Sequence, residues 1–320
     1  MPPSVKLGVL LPTRGLLMAG TPPKNMDLIL SMAKAVEEAG LDSVWVGDSL
    51  TAKPRLEPLT ALAAVAARTH RVRLGTAVLL AALRHPVLLA HTLGTLDLIS
   101  GGRTILGMGV GGAFNEAQRR EWLAAGVDPS QRARRLEELV QIVRRLGAGE
   151  EVSFDGHHFK LNSVRMEPRP VQQSGVPILI ACHWRAGREQ QFRRAARLGN
   201  GFISISDTPE EYAKSAERVR TYAAEEGKRP EQLQSAFYMT VNLGEDQRKA
   251  TAEAERYLTT YYGVNIWGDR WGPFGPPQWT VERIGQYSQA GAGTIIVRFA
   301  SFDQEGQLDT FLREVAPTFR

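Results

Sequence analysis

The feature that most limits what this chain can fold into is an alternation of strand and helix signals from one end to the other. Short apolar runs at 5–11, 43–46, 72–80, 104–106, 176–181, 201–205, 235–243 and 294–299 read as strands. Amphipathic stretches at 26–39, 59–67, 87–99, 132–146, 188–198, 209–226, 247–262, 280–289 and 307–315 read as helices between and after them. Gly40, Gly101 with Gly102, and Gly227 stand where helices must stop, and Asp207 or Thr208 is the expected N-cap of the helix that begins at Pro209. Strands that are nearly all separated by helices run parallel and are joined by right-handed crossovers. Eight such units close most often into a (β/α)8 barrel, with an open doubly wound sheet as the alternative. The 320 residues are 43% hydrophobic, enough for a large core, and no linker divides them, so one barrel domain over 1–320 is expected.

Two segments break the rhythm. Residues 151–166 read as a β-hairpin inserted after the fourth βα unit and turning at Asp155-Gly156. Residues 263–279, rich in Gly, Pro and Trp, read as a long loop before the eighth strand. Trp267, Trp271, Phe274 and Trp279 in or beside it are expected to form either a lid or substrate wall, or a cover packed on the barrel.

Charge and composition exclude several function classes. The net charge of +5 comes largely from arginines on helical stretches, where Glu137 and Glu138 are interleaved with them, so a solvated face is expected rather than a nucleic-acid surface. The excess also suits an anionic, phosphorylated cofactor. No apolar run approaches the ~20 residues that a membrane span needs. The stretch from Met1 to Lys6 reads as no signal peptide, and Cys182, the lone cysteine, allows no internal disulfide; a reducing cytoplasm is expected.

In a barrel, chemistry sits at the C-terminal ends of the strands. Gly107-Met108-Gly109-Val110-Gly111-Gly112 formally matches the dinucleotide fingerprint. It follows the fourth strand rather than the first, and no helix opens directly after it. The glycines are read instead as allowing close approach of the backbone to a flat ring or phosphate, or as a tight turn. After the fifth strand, Cys182-His183-Trp184-Arg185 precedes a helix, where free N–H groups and Arg185 could hold phosphate. Cys182 alone reads as an inert thiol. The six histidines have no metal-ligand spacing, so no metal site is expected, and no Ser-His-Asp order or P-loop occurs.

Taken together, several motifs make the chain resemble the bacterial-luciferase superfamily of flavin-dependent oxidoreductases. They are Leu41-Asp42-Ser43-Val44-Trp45-Val46-Gly47-Asp48, the stretch from Arg73 through Arg84-His85-Pro86 to Gly107-Met108-Gly109, Phe154-Asp155-Gly156-His157-His158-Phe159, Pro168-Arg169-Pro170, and Arg194 to Gly201. The resemblance implies a barrel that binds reduced FMN or a deazaflavin (coenzyme F420) and acts on a small organic substrate, often as a dimer. It implies a bulged third strand with a non-proline cis peptide at Thr76, Ala77 and Val78. It also implies phosphate contacts from Gly109, Val110 and Gly111 and from Cys182, His183, Trp184 and Arg185. The family often has a histidine after the acidic residue that ends the second strand, and an arginine at the end of strand four. Here Asp48 is followed by Ser49, and Val110 takes the arginine's place. A hydroxyl does not replace imidazole as an acid or base near neutral pH. Asp48 and Ser49 remain the catalytic candidates. The expected activity is that of an FMN-dependent monooxygenase served by a flavin reductase, with deazaflavin-dependent hydride transfer or a non-catalytic flavin-binding barrel as alternatives.

Overall fold

The computed structural model describes residues 5–18, 23–264, 266 and 268–319. The reading of Met1–Ser4 and the place of Trp267 lie outside the described residues. Eight parallel strands form a closed barrel: β1 (Lys6–Leu10), β2 (Ser43–Val46), β3 (Arg73–Leu79), β4 (Thr104–Met108), β7 (Ile178–Ala181), β8 (Gly201–Ile205), β9 (Gln234–Leu243) and β11 (Thr294–Phe299). Each pairs with the next in that order, and β11 pairs back onto β1 through Lys6↔Thr294 to Val9↔Val297. The expected insertion is an antiparallel hairpin of β5 (Val152–Asp155) and β6 (Lys160–Val164). The two-residue strand β10 (Phe274–Gly275) lies in the late loop and pairs with the end of β9.

Helices surround the barrel: α1 (Gly15–Met18), α2 (Asp27–Glu38), α3 (Pro58–Ala66), α4 (Pro86–Ser100), α5 (Glu116–Ala124), α6 (Arg132–Gly147), α7 (Glu189–Leu198), α8 (Pro209–Glu225), α9 (Gln247–Tyr262), α10 (Pro277–Gln289) and α11 (Gln304–Thr310). Thr208 is the N-cap of α8, in a reciprocal capping box with Glu211. The closing helix starts earlier than its apolar pattern suggests, because the Asp303 side chain caps the N–H of Gly306. Helix α5 is absent from the sequence reading. Its nine residues are mostly polar and bury only Glu121 and Trp122, so no apolar stripe announces it.

The barrel interior is filled by Leu10, Trp45, Ala77, Ile105, Leu179, Ile203, Ala236, Tyr238 and Ile296. Trp45 is its plug, 1% exposed, with Nε1 donating to Ser43 Oγ at 2.9 Å. Two glycines on the flanking strands make room for it. A Cβ at Gly75 would lie 2.1 Å from the Trp45 ring, and one at Gly8 would lie 2.7 Å from its Nε1. A large ring filling the barrel floor leaves the space above it, at the strand C-termini, as the place for a ligand. Among the described residues, no helix is long and apolar enough to cross a membrane.

Candidate active site

At the C-terminal ends of the strands lies a cleft of about 220 Å³. Its floor is apolar and small: Ala77 and Val78 of β3, Ala181 of β7, and Ile203 and Ile205 of β8. β3 departs from regular pairing here. Its register against β4 shifts between Thr76 and Leu79, and the Ala77–Val78 peptide is cis. The bulge is held from behind by β4. Thr76 Oγ1 donates to Gly107 O at 2.9 Å, a Cβ at Gly107 would lie 2.3 Å from Thr76 O, and one at Gly109 would lie 2.8 Å from Val78 Cγ2. Gly111 has φ +76, and a Cβ there would meet Trp122 at 2.8 Å. Gly107, Gly109 and Gly111 are thus required by neighbours within the protein, and through them they shape the cleft floor.

The loop that follows β4 has its carbonyls tied outward. Gly111 O accepts from Arg132 Nε and Gly112 O from Trp122 Nε1. The N–H groups of Val110, Gly111, Gly112 and Ala113 have no partner among the described residues. Successive unpartnered backbone donors of this kind attract anions. The segment after β7 is arranged differently. Cys182 N donates to Ile203 O, His183 N to Gln191 Oε1, and Trp184 N to both carboxylate oxygens of Asp207 at 3.0 Å. Those three amides are already used within the protein, and Arg185 beyond them is exposed. Burial, followed by the nearby Asp207 charge, pushes the Cys182 thiol well above its ordinary value, so it stays protonated and unreactive.

The residues after β2 are held by a carboxylate from α5. Glu121 Oε1 accepts from Ser49 Oγ at 2.6 Å, from Thr51 N at 2.8 Å and from Ala52 N at 3.1 Å, while Lys53 N donates to Ser49 Oγ. Ser49 therefore donates its hydrogen bond to Glu121 and pins the loop. Asp48 accepts from Leu80 N at 2.9 Å and from Arg84 Nη1 at 2.6 Å, and its side chain is 3% exposed. That pair ties the end of β2 to the end of β3. Both residues border the cleft with their polar atoms engaged inside the protein.

The opposite wall is basic and aromatic, and sequence reasoning missed most of it. Lys53 and Arg55 come from the β2–α3 loop, Tyr238 from β9, and Tyr261 and Tyr262 from α9. Behind them lies Arg298 of β11, 2% exposed, donating to Tyr262 Oη at 2.7 Å and to Thr240 Oγ1 at 2.8 Å. Trp271 stacks on Tyr262 with centroids 6.0 Å apart and lies 4.6 Å from the Arg298 guanidinium. Burial would raise the Tyr261 phenol, but Arg55, Arg298, Arg14 and Lys53 outweigh it and hold the group below its ordinary value. The signals in the sequence were the basic residues Arg14, Lys53, Arg55 and Arg298 at or just past strand ends, and the adjacent tyrosines that close α9.

The late loop is latched onto the barrel by Arg270, which donates to Ser206 O at 3.1 Å and pairs with Glu211. Burial opposes ionisation of Glu211, but hydrogen bonds from Arg270 and Thr208 N prevail and hold it below its ordinary value. A carboxylate depressed in the folded state contributes stability above its unfolded value near 4.5, and that contribution is lost as pH falls through the lower folded value. Arg270→Ala is expected to speed amide exchange over 268–275 on the order of fivefold to tenfold at neutral pH. The difference from wild type should shrink in acid. Exchange unchanged by the substitution would show that other contacts hold the loop.

Comparison with known proteins places this geometry in a family. The profile of the luciferase-like monooxygenase family matches residues 5–294. The chain is 30% identical over 326 residues to an F420-dependent glucose-6-phosphate dehydrogenase of Amycolatopsis mediterranei, covering 91% of this chain and 94% of that one. A dehydrogenase of the same name from Nocardia farcinica is 31% identical with the same coverage. Among solved structures, the monooxygenase RslO1 from Streptomyces bottropensis superposes with a TM-score of 0.82 at 25% identity, over 99% of this chain and all of that one. A closed parallel barrel with a bulged third strand, matched by the family profile over nearly its whole length, is a member of the luciferase-like monooxygenase family.

Proposed function

We propose that this protein is an oxidoreductase that seats the planar ring of a deazaflavin of the F420 class on the Ala77–Val78 bulge. On this reading it exchanges hydride with a small organic substrate held between the ring and the basic wall. The observation that carries the reading is the bulge itself: a flat apolar floor, set by the close approach of Gly107 and Gly109, in a cleft at the catalytic end of the barrel. The residues fit such a cofactor. Ala77, Val78, Ala181 and Ile203 offer apolar contact to a ring. The unpartnered amides from Val110 to Ala113 would take the phosphate of its side chain. A bound reduced flavin or deazaflavin supplies the redox chemistry. The protein's own part is to bind, to orient and to exclude water, with Glu121 and the Asp48–Arg84 pair holding the loop ends rigid around the cleft.

The full-length similarity to F420-dependent dehydrogenases favours the deazaflavin. The similarity to RslO1 favours a second reading, in which reduced FMN is bound, oxygen is consumed and a flavin reductase is the partner. Titration with each cofactor, followed by quenching of protein tryptophan fluorescence, separates them. Micromolar affinity for F420 and far weaker affinity for reduced FMN is the expected result, and the reverse supports the monooxygenase. Binding of neither would overturn both readings.

A homodimer is part of the same proposal. Leu88 and Ile99, on one face of α4, are 68% and 50% exposed, and such a face suits a partner subunit. Light scattering that returned a monomer at micromolar concentration would contradict it.

A further inference from the structure

The basic wall has more positive charge than its surroundings balance. Arg14, Lys53, Arg55 and Arg298 converge there from the ends of β1, β2 and β11, and none forms a salt bridge among the described residues. The nearby carboxylates Asp48 and Glu121 act on Arg55 and Lys53 through space, but Asp48 is bound to Arg84 and Leu80 N and Glu121 to the loop after β2, so two carboxylates face four cations and one of them already has an arginine partner. The aromatic rings compensate part of the charge. Lys53 Nζ lies 4.6 Å from the Tyr262 ring centre, and the Arg14, Arg55 and Arg298 guanidinium carbons lie 5.1, 5.5 and 5.1 Å from that of Tyr261. Cation–π contacts leave the N–H donors themselves unsatisfied.

The donors divide into two kinds. Arg14 spends its own on Tyr261 O and Pro54 O, and Arg298 spends its terminal nitrogens on Tyr262 Oη and Thr240 Oγ1. These two hold the wall together and supply field. Lys53 and Arg55 face the cleft, and among the described residues Arg55 uses only Nε, on Lys53 O at 3.1 Å. Its terminal nitrogens lie across the bare Cα of Gly47, where a Cβ would come within 2.3 Å of Nη1, which sets the guanidinium beside the cleft floor.

We propose that Lys53 and Arg55 form an oxyanion subsite that receives a phosphate or carboxylate group of the substrate, opposite the β4 loop that would take the cofactor's phosphate. The assignment to substrate rests on the cofactor reading above; the anion site itself does not. Two adjacent donor groups, one of them a planar fork, suit a bidentate oxyanion. Screening by the surrounding rings makes such a contact stronger than it would be at an open surface. The barrel separates the two anion sites: the cofactor's lies at β4, and this one lies between β2 and β11. A substrate anchored here would place its reacting carbon over the apolar floor.

The test is calorimetric titration with inorganic phosphate at fixed ionic strength. It is run on cofactor-free protein and on protein saturated with F420 or FMN, whichever binds. Lys53→Gln and Arg55→Gln are each expected to weaken phosphate binding to the cofactor-loaded protein about tenfold, the loss of one charge-assisted contact. Arg68→Gln, on the outside of the barrel, should leave it unchanged, and cofactor affinity should be the same in all variants. Matching circular dichroism spectra establish that the variants fold. Phosphate binding indifferent to both substitutions overturns the proposal. So does phosphate binding that cofactor loading abolishes, because the cofactor's own side chain would then occupy the wall. If neither cofactor binds while phosphate binding still depends on Lys53 and Arg55, the cofactor reading fails and the anion site stands.

Discussion

Gly107→Ala is expected to lower cofactor affinity on the order of 100-fold, although residue 107 itself does not border the cleft. The added Cβ would lie 2.3 Å from Thr76 O, a backbone atom that no side-chain rotation can move aside. β3 must therefore shift at the bulge, and the Thr76 Oγ1 to Gly107 O hydrogen bond goes with it. Losing about 2–3 kcal/mol of apolar contact between ring and floor is a loss of that size. Global stability should fall by about 1–3 kcal/mol, the usual cost of overpacking. Gly285→Ala is the control, because it sits in α10 with open space around it and should leave binding unchanged. Fluorescence titration of the two variants checks the expectation. Wild-type affinity in Gly107→Ala would mean that the bulge does not seat the ring.

Trp45→Ala is expected to have the largest effect on stability. The ring is 1% exposed, and two strands have given up their side chains at Gly8 and Gly75 to admit it. Removing it empties the centre of the barrel, and no neighbour is long enough to refill the space. Substitutions of this kind cost about 3–5 kcal/mol. For a chain of 320 residues that lowers Tm by roughly 4–7 °C, measurable by calorimetry. Ala77 belongs to the same interior layer, so cofactor binding should weaken as well. A Tm within a degree or so of wild type would show that the barrel closes without its plug.

The barrel was legible in the sequence because its signals are local. Apolar runs, helix-stopping glycines such as Gly40 and Gly101, and the Asp155-Gly156 turn each depend on a few neighbouring residues. The resemblance placed the bulge at Thr76 to Val78, and the cis peptide lies within that stretch. The glycines after β4 were legible as a point of close approach. What approaches Gly107, Gly109 and Gly111 is Thr76, Val78 and Trp122, side chains and backbone of the same protein. The basic wall was illegible for the opposite reason. Arg14, Lys53, Tyr261 and Arg298 are far apart in the chain and meet only when the barrel closes. Glu121 was hidden because the helix that carries it has no apolar stripe.

The late loop lies against the barrel wall. Trp271 packs behind Tyr262 and against Arg298, strengthening the basic wall from outside, while Trp279 is 37% exposed at the start of α10. The loop thus buttresses the cleft wall, and the Arg270 latch fixes its position.

Everything functional here depends on a ring lying on the Ala77–Val78 bulge. A crystal structure of the protein soaked with F420, or with FMN if that binds better, measures it directly. The account predicts planar density against Ala77 and Val78, with a phosphate at the amides of Val110 to Ala113 and free space beside Lys53 and Arg55. Density for the ring outside this cleft, or a phosphate tail lying on Lys53 and Arg55, would contradict it.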